Sequence, residues 1–149
     1  MASVERVIRL PGCLFCDIVA GDRGGFIVLD EPAAVAFLDV HPLFPGHVLL
    51  VPRSHVDTFD DAPHEIVAGL ATTAQRLSRA VQRATGAAGS FIATNVRVSQ
   101  SISHLHFHIV PRTRGDGLRG FFWPRTRYRD DDHAEEVASA IRAALTARV

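Results

Sequence analysis

Lysine is missing from this chain, and all sixteen of its basic residues are arginine. Sixteen acids offset them, leaving a formal net charge of zero, so no global field gathers nucleic acid or an anionic membrane surface. A small anionic substrate needs only local positive charge and stays open. Together with a bias to Ala and Val, the arginine usage points to a high-GC genome and says nothing about function. Long apolar runs are missing too. No stretch approaches the ~20 residues that span a bilayer, and residues 1–10 lack the apolar core of a secretory signal. The expectation is a cytoplasmic protein with neither membrane nor nucleic acid among its partners. Cysteine is scarce, at two residues, so no disulfide framework is available. At 149 residues none is needed, because the chain is long enough to bury a core. No internal repeat or low-complexity linker divides it, and a single domain over 1–149 is expected.

Histidine is what the chain does have. The segment Gln100-Ser-Ile-Ser-His104-Leu-His106-Phe-His108-Ile-Val-Pro111-Arg112 alternates three histidines with apolar residues. Alternation is strand periodicity, so the three imidazoles are predicted on one face of a strand over 104–110, with Leu105, Phe107 and Ile109 entering the core. Neighbours on such a face lie about 6.5–7 Å apart, close enough to build one site. A face of that kind points to chemistry or metal binding. His-x-His on one strand face is also the donor pair of some catalytic zinc sites, so a metallohydrolase built on His104 and His106 is an open reading.

The two cysteines form Cys13-Leu14-Phe15-Cys16. CxxC serves as a metal pair or a redox pair. The redox use calls for a strand before the motif, whereas Leu10-Pro11-Gly12 reads as a turn. Two thiolates are half a tetrahedral zinc shell, and two further ligands would complete it. A structural zinc is preferred, with a free thiol pair and redox chemistry as alternatives.

Around these motifs the pattern predicts a short helix over 14–20 ending at Gly21, with Phe15 and Ile18 on one side. Apolar strands are expected at 26–29, 35–38, 48–51 and 91–94, besides the histidine strand. The clearest helix starts at Pro63 and repeats Ile66, Leu70, Ala74, Leu77, Val81 and Ala84 at helical spacing until Gly86. A last amphipathic helix covers 135–145. Short strands with tight turns and one long helix predict an α+β fold, an antiparallel sheet of about five strands covered by one long and one or two shorter helices.

The His-x-His-x-His motif, followed by two apolar residues and preceded by Gln-Ser, resembles the signature of the histidine triad superfamily of nucleotide hydrolases and transferases. Pro111-Arg112 is similar to its fragile-histidine-triad branch of dinucleoside polyphosphate hydrolases; a nucleoside phosphoramidase-like branch is the other expectation. The likeness extends through CxxC and the stretch from Leu38-Asp39 to His55, covering most of 13–112, with a C-terminal segment and helix over 113–149. It implies an antiparallel meander and a homodimer that extends the sheet across a two-fold axis. It implies a purine nucleotide substrate cleaved at its α-phosphorus, through a covalent nucleotidyl-histidine, to a nucleoside monophosphate.

By the same resemblance His106 is the nucleophile, His108 orients the phosphate or assists proton traffic, and Ser101 bonds the phosphate or leaving group, with Gln100 before it as a further substrate contact. Asp39 accepts both ribose hydroxyls, and His41 beside it faces ribose or solvent. Phe15, Ile18, Phe37 and Val40 line a slot for the base, although in sequence pocket walls and core look alike. Asn95 is a phosphate-contact candidate on a loop shorter than the family's and lacking its glycine before the glutamine. A structural Zn2+ is implied at Cys13, Cys16, His104 and His55, the last in Pro52-Arg53-Ser54-His55. The basic, aromatic segment 112–125 would close over a substrate, pack on a dimer partner or face solvent. A non-catalytic nucleotide-binding or scaffold protein that keeps the signature is the remaining alternative.

Overall fold

A computed structural model of the chain describes residues 6–119 and 126–146. Residues 120–125, part of the basic, aromatic segment, lie outside the described residues. The described residues divide into two compact units, one up to Asp116 and one from Gly117.

In the first unit, α1 (Leu14–Ala20) begins where the Cys13 side chain accepts the Cys16 amide and ends at Gly21, whose φ of 79° is the left-handed cap. Then come β1 (Ile27–Asp30), β2 (Ala34–Leu38) and β3 (Val48–Pro52), each antiparallel to the one before. A 3-10 turn at Phe59–Asp61, which periodicity does not show, precedes α2 (His64–Thr85), closed by Gly86 at φ 71°. The long helix crosses the sheet and delivers β4 (Gly89–Ala93) to an edge, and β5 (Phe107–Arg112) returns between β4 and β3. The strand order is therefore β1-β2-β3-β5-β4, antiparallel throughout.

Strand alternation sorts the core into two layers. Ala36, Leu50, Phe107 and Ile109 face Leu70, Ala74, Leu77 and Val81 of α2. Val35, Phe37, Leu49 and Val51 face the other way and pack on Phe15, Cys13 and Cys16 around α1. Burial on both faces explains why β3 is apolar at every position. The expected α+β architecture is the one that forms, with one long and two shorter helices.

In the second unit α3 (Asp131–Thr146) is described by itself. Asp131 and Asp132 sit in its first turn, and Arg142 pairs with Glu135. Its Ile141 and Leu145 are exposed. No described helix is long and apolar enough to cross a membrane.

Candidate active site

The histidine segment departs from prediction in one respect: β5 begins at Phe107, so His104 and His106 precede the strand. The reason lies in its neighbours. Beyond Leu50, which pairs with Phe107, β3 runs into Pro52, which has no amide hydrogen to continue a ladder. Backbone groups of 104–106 find other partners. The Leu105 amide donates to the Val56 carbonyl at 2.7 Å, and the Thr94 hydroxyl donates to the His106 carbonyl at 2.7 Å. Sidedness still holds, since Leu105, Phe107 and Ile109 enter the α2-side core.

His106 is buried, with its Nδ1 2.8 Å from the His104 carbonyl oxygen. A carbonyl only accepts, so Nδ1 carries the hydrogen and Nε2 keeps a bare lone pair. Burial lowers its pKa below the ordinary histidine value, against the raising effect of that hydrogen bond. The ring stands edge-on to Phe15, centroids 5.1 Å apart, and Phe15 in turn packs on Phe37 at 5.3 Å.

Beside it, a histidine that the sequence reading did not single out completes a second imidazole chain. His47 is buried at the entry of β3, and the Leu43 amide donates to its Nδ1 at 3.1 Å. Its hydrogen therefore sits on Nε2, which donates to His108 Nδ1 at 2.9 Å. That places the His108 hydrogen on Nε2, free to donate outward. Burial, then the neighbouring His106 and His47, push His108 down to about 4, so the ring is neutral at physiological pH. The Asp39 carboxylate takes the His41 amide on Oδ1 at 2.9 Å and lies 3.8 Å from His47 Nδ1. Asp39, His47 and His108 lie close enough to suggest a metal group. Their hydrogen bonds argue otherwise: His47 has its lone pair on Leu43 and its hydrogen on His108. The one sequence signal for His47 was its position, a histidine between Pro-Gly and a fully apolar strand.

Cys13, Cys16, His55 and His104 bring their donor atoms within 4.8 Å of one another. His104 Nδ1 lies 3.5 Å from Cys13 Sγ and 3.6 Å from Cys16 Sγ, and His55 Nδ1 lies 3.3 Å from Cys16 Sγ. A tetrahedral zinc with Zn–S of about 2.3 Å and Zn–N of about 2.0–2.1 Å separates S and N by roughly 3.6 Å. The remote nitrogens are already held, His104 Nε2 to the Pro52 carbonyl at 3.0 Å and His55 Nε2 to Asp57 at 2.8 Å. Such outer partners fix the ring plane and leave Nδ1 as the donor. Burial pushes the His104 pKa down to about 4, which keeps it neutral. The four residues fit a closed S2N2 shell. His104 points to the cysteines and not to a pair with His106, which removes the geometry a metallohydrolase on those two would need.

The other expected residues divide. Ile18 is half-buried against the Phe15–Phe37 layer, whereas Val40 is exposed. Ser101 is exposed on the loop before the histidines, and Asn95 Nδ2 donates to the Ser99 carbonyl at 3.1 Å. Gln100 uses both ends of its amide on the protein: Oε1 accepts the Arg97 amide at 3.1 Å, and Nε2 donates to the carbonyls of Asp57 at 2.6 Å and Ile102 at 3.2 Å. Arg97 and Ser99 hold φ of 63° and 61°, a left-handed backbone costing non-glycine residues roughly 1–2 kcal/mol each. A groove of about 840 Å³, lined in part by Arg6, Ile8, Ala34, Ile66 and Leu70, touches the Cys/His cluster through His55 and includes none of the three triad histidines.

A five-stranded antiparallel sheet with a row of histidines beside a Cys/His cluster defines an α+β domain of the histidine triad kind. A family model described as HIT domain matches residues 21–115, and the chain belongs to the HIT family. It is 39% identical over 132 residues to an uncharacterized HIT-like protein of Saccharolobus solfataricus, covering 87% of this chain and 94% of that one. It is 30% identical over 101 residues to an adenosine 5'-monophosphoramidase of Saccharomyces cerevisiae, covering 67% of this chain and 62% of that protein. The crystal structure of a Zn-bound histidine triad family protein from Mycobacterium smegmatis matches with a TM-score of 0.70 at 33% identity, covering 87% of this chain and 97% of that one.

Proposed function

We propose that the protein is a nucleotide hydrolase that cleaves at the α-phosphorus of a purine nucleotide, a dinucleoside polyphosphate or nucleoside phosphoramidate, and releases a nucleoside monophosphate. The observation that carries this reading is the bare Nε2 of His106, its ring fixed from behind by the His104 carbonyl. A neutral imidazole so held is an activated nucleophile. Nε2 attacks phosphorus, the bond to the leaving group breaks, and a nucleotidyl-histidine remains. Water then attacks the same phosphorus, and the nucleoside monophosphate leaves with His106 restored. His108, with its hydrogen held on Nε2 by His47, donates to a phosphate oxygen or passes a proton to the departing group. Asp39 takes the ribose hydroxyls, and the layer of Phe15, Ile18 and Phe37, with Val40, borders the base. Ser101 and Asn95 approach the phosphate from the loop.

Cys13, Cys16, His55 and His104 would hold a zinc in this reading; with all four positions taken by protein ligands, the ion would brace the site and leave no open position for water. The monophosphoramidase relative and the Zn-bound family structure support these two parts. A cytoplasmic homodimer, joined by continuing the sheet at an edge strand, completes the proposal.

Adenosine phosphoramidate and a series of diadenosine polyphosphates, incubated with the protein and followed for AMP, test it. His106→Ala should abolish turnover yet hold nucleotide affinity within about tenfold, because it removes covalent chemistry and little ground-state contact. Substantial turnover in that variant would end the nucleophile assignment.

A further inference from the structure

The loop between β4 and the histidine segment is held in a backbone that its own residues disfavour. Arg97 and Ser99 both lie at positive φ, and no glycine relieves either position. Two ties hold it there. The Arg97 guanidinium pairs with Asp60 at 3.1 Å and Asp61 at 3.3 Å on the 3-10 turn. Gln100 reaches from the loop to the Asp57 carbonyl at 2.6 Å while its Oε1 takes the Arg97 amide. Asp57 is thus shared: its main chain receives Gln100, and its carboxylate receives His55 Nε2 at 2.8 Å. His55 in turn faces Cys16 through Nδ1. One residue therefore touches both the Cys/His cluster and the strained loop that carries Ser101.

We propose that Gln100 and Asp57 are positioning residues, forming a strut through which the state of the Cys/His cluster sets the conformation of loop 95–103. With the cluster filled, His55 is fixed, Asp57 is fixed behind it, and the Gln100 amide finds its acceptor. With the cluster open, His55 turns more freely, the Asp57 carbonyl shifts, and the loop relaxes away from its left-handed turns. The catalytic relevance rests on the function proposed above; the mechanical link does not.

Hydrogen exchange of amides 96–103 in the full-length protein, zinc-loaded and chelator-stripped, tests the link without any turnover. Stripping should speed exchange in this segment at least tenfold in the parent. Gln100→Ala should show the fast exchange even with zinc content unchanged, and stripping should add little more. Gln100→Glu keeps the side-chain length but cannot donate to the Asp57 carbonyl, so it should behave like alanine. A glutamate variant with parental exchange would mean that Gln100 only fills space. Asp57→Asn, which keeps the main-chain carbonyl and weakens the hold on His55, should uncouple the loop from the cluster, so that stripping changes its exchange less than in the parent. Exchange at 96–103 that is indifferent to stripping, or a protein that takes up no zinc, overturns the proposal. If turnover is found, Gln100→Ala should lower kcat with KM changed less than about threefold. Absence of turnover in every form counts against the proposed function alone, since the exchange result stands by itself.

Discussion

At the scale of single residues, the site is a set of decisions about hydrogens. Each imidazole has one nitrogen assigned by an unambiguous partner: a carbonyl for His106, an amide for His47, and through it His108. All three are buried or half-buried, and burial lowers their pKa values. The rate consequence has a definite sign. In the proposed reaction neutral rings are the working form and acid removes the His106 lone pair, so kcat/KM should stay flat through neutrality and fall only on the acid side, with a midpoint below 6.5. Stability follows the same direction, because an unfolded histidine takes its proton near 6.5 while folded His108 holds out to about 4. Stability is lost as pH falls through that window. A rate profile whose acid limb is centred at or above 6.5 would contradict the burial argument. Asp39→Ala should weaken nucleosides by roughly 1.5–3 kcal/mol, the worth of charge-assisted hydrogen bonds, and leave pyrophosphate binding little changed. Equal affinity of the parent for ribo- and deoxyribonucleotides would remove Asp39 from the ribose.

At the scale of elements, the close approach of Gly46 to α2 is the tightest glycine contact among the described residues. Its φ is 98°, and a Cβ there would come within 2.7 Å of Thr85 Cγ2 at the helix end. Gly46→Ala should cost about 1–3 kcal/mol of stability, read as a lowered Tm, and should disturb His47 next in the chain. A parental Tm would mean the helix end yields freely. This joint also marks where the sequence became unreadable. Helix α2 was legible because its apolar positions repeat every turn, and the sides of β5 because its histidines alternate with apolar residues. Strands β2 and β3, apolar on both faces, were legible as strands but not in which side meets α2. His47 was not, because a single histidine after Pro-Gly has no period, and its role appears only when β3 lies beside β5. The late start of β5 was hidden for a related reason: Pro52, which halts the ladder, lies 52 residues before His104. Gln100 reads as a substrate contact beside Ser101, but its amide is taken up by Arg97, Ile102 and the Asp57 carbonyl, the last 43 residues distant in sequence.

At the scale of the whole molecule, metal removal is the decisive perturbation. Purified protein should carry close to one zinc per chain, and Cys13→Ser with Cys16→Ser should lose it, with a lowered Tm while the protein that stays folded keeps a reduced but measurable turnover. Elemental analysis beside melting and assay checks this, and metal-free protein that is fully folded yet inert would contradict a bracing role. The cluster gathers its donors from far along the chain, Cys13 and His104 being 91 residues apart and Cys16 and His55 39 apart. An ion there is a reversible cross-link, closing a loop whose chain-entropy value, by analogy with a disulfide, is roughly 4–5 kcal/mol. The amino-terminal segment then cannot peel away alone, since releasing α1 means releasing the last strand's flank as well. Cut by protease, the loaded protein should open all at once or not at all, whereas the stripped chain should be trimmed from its front.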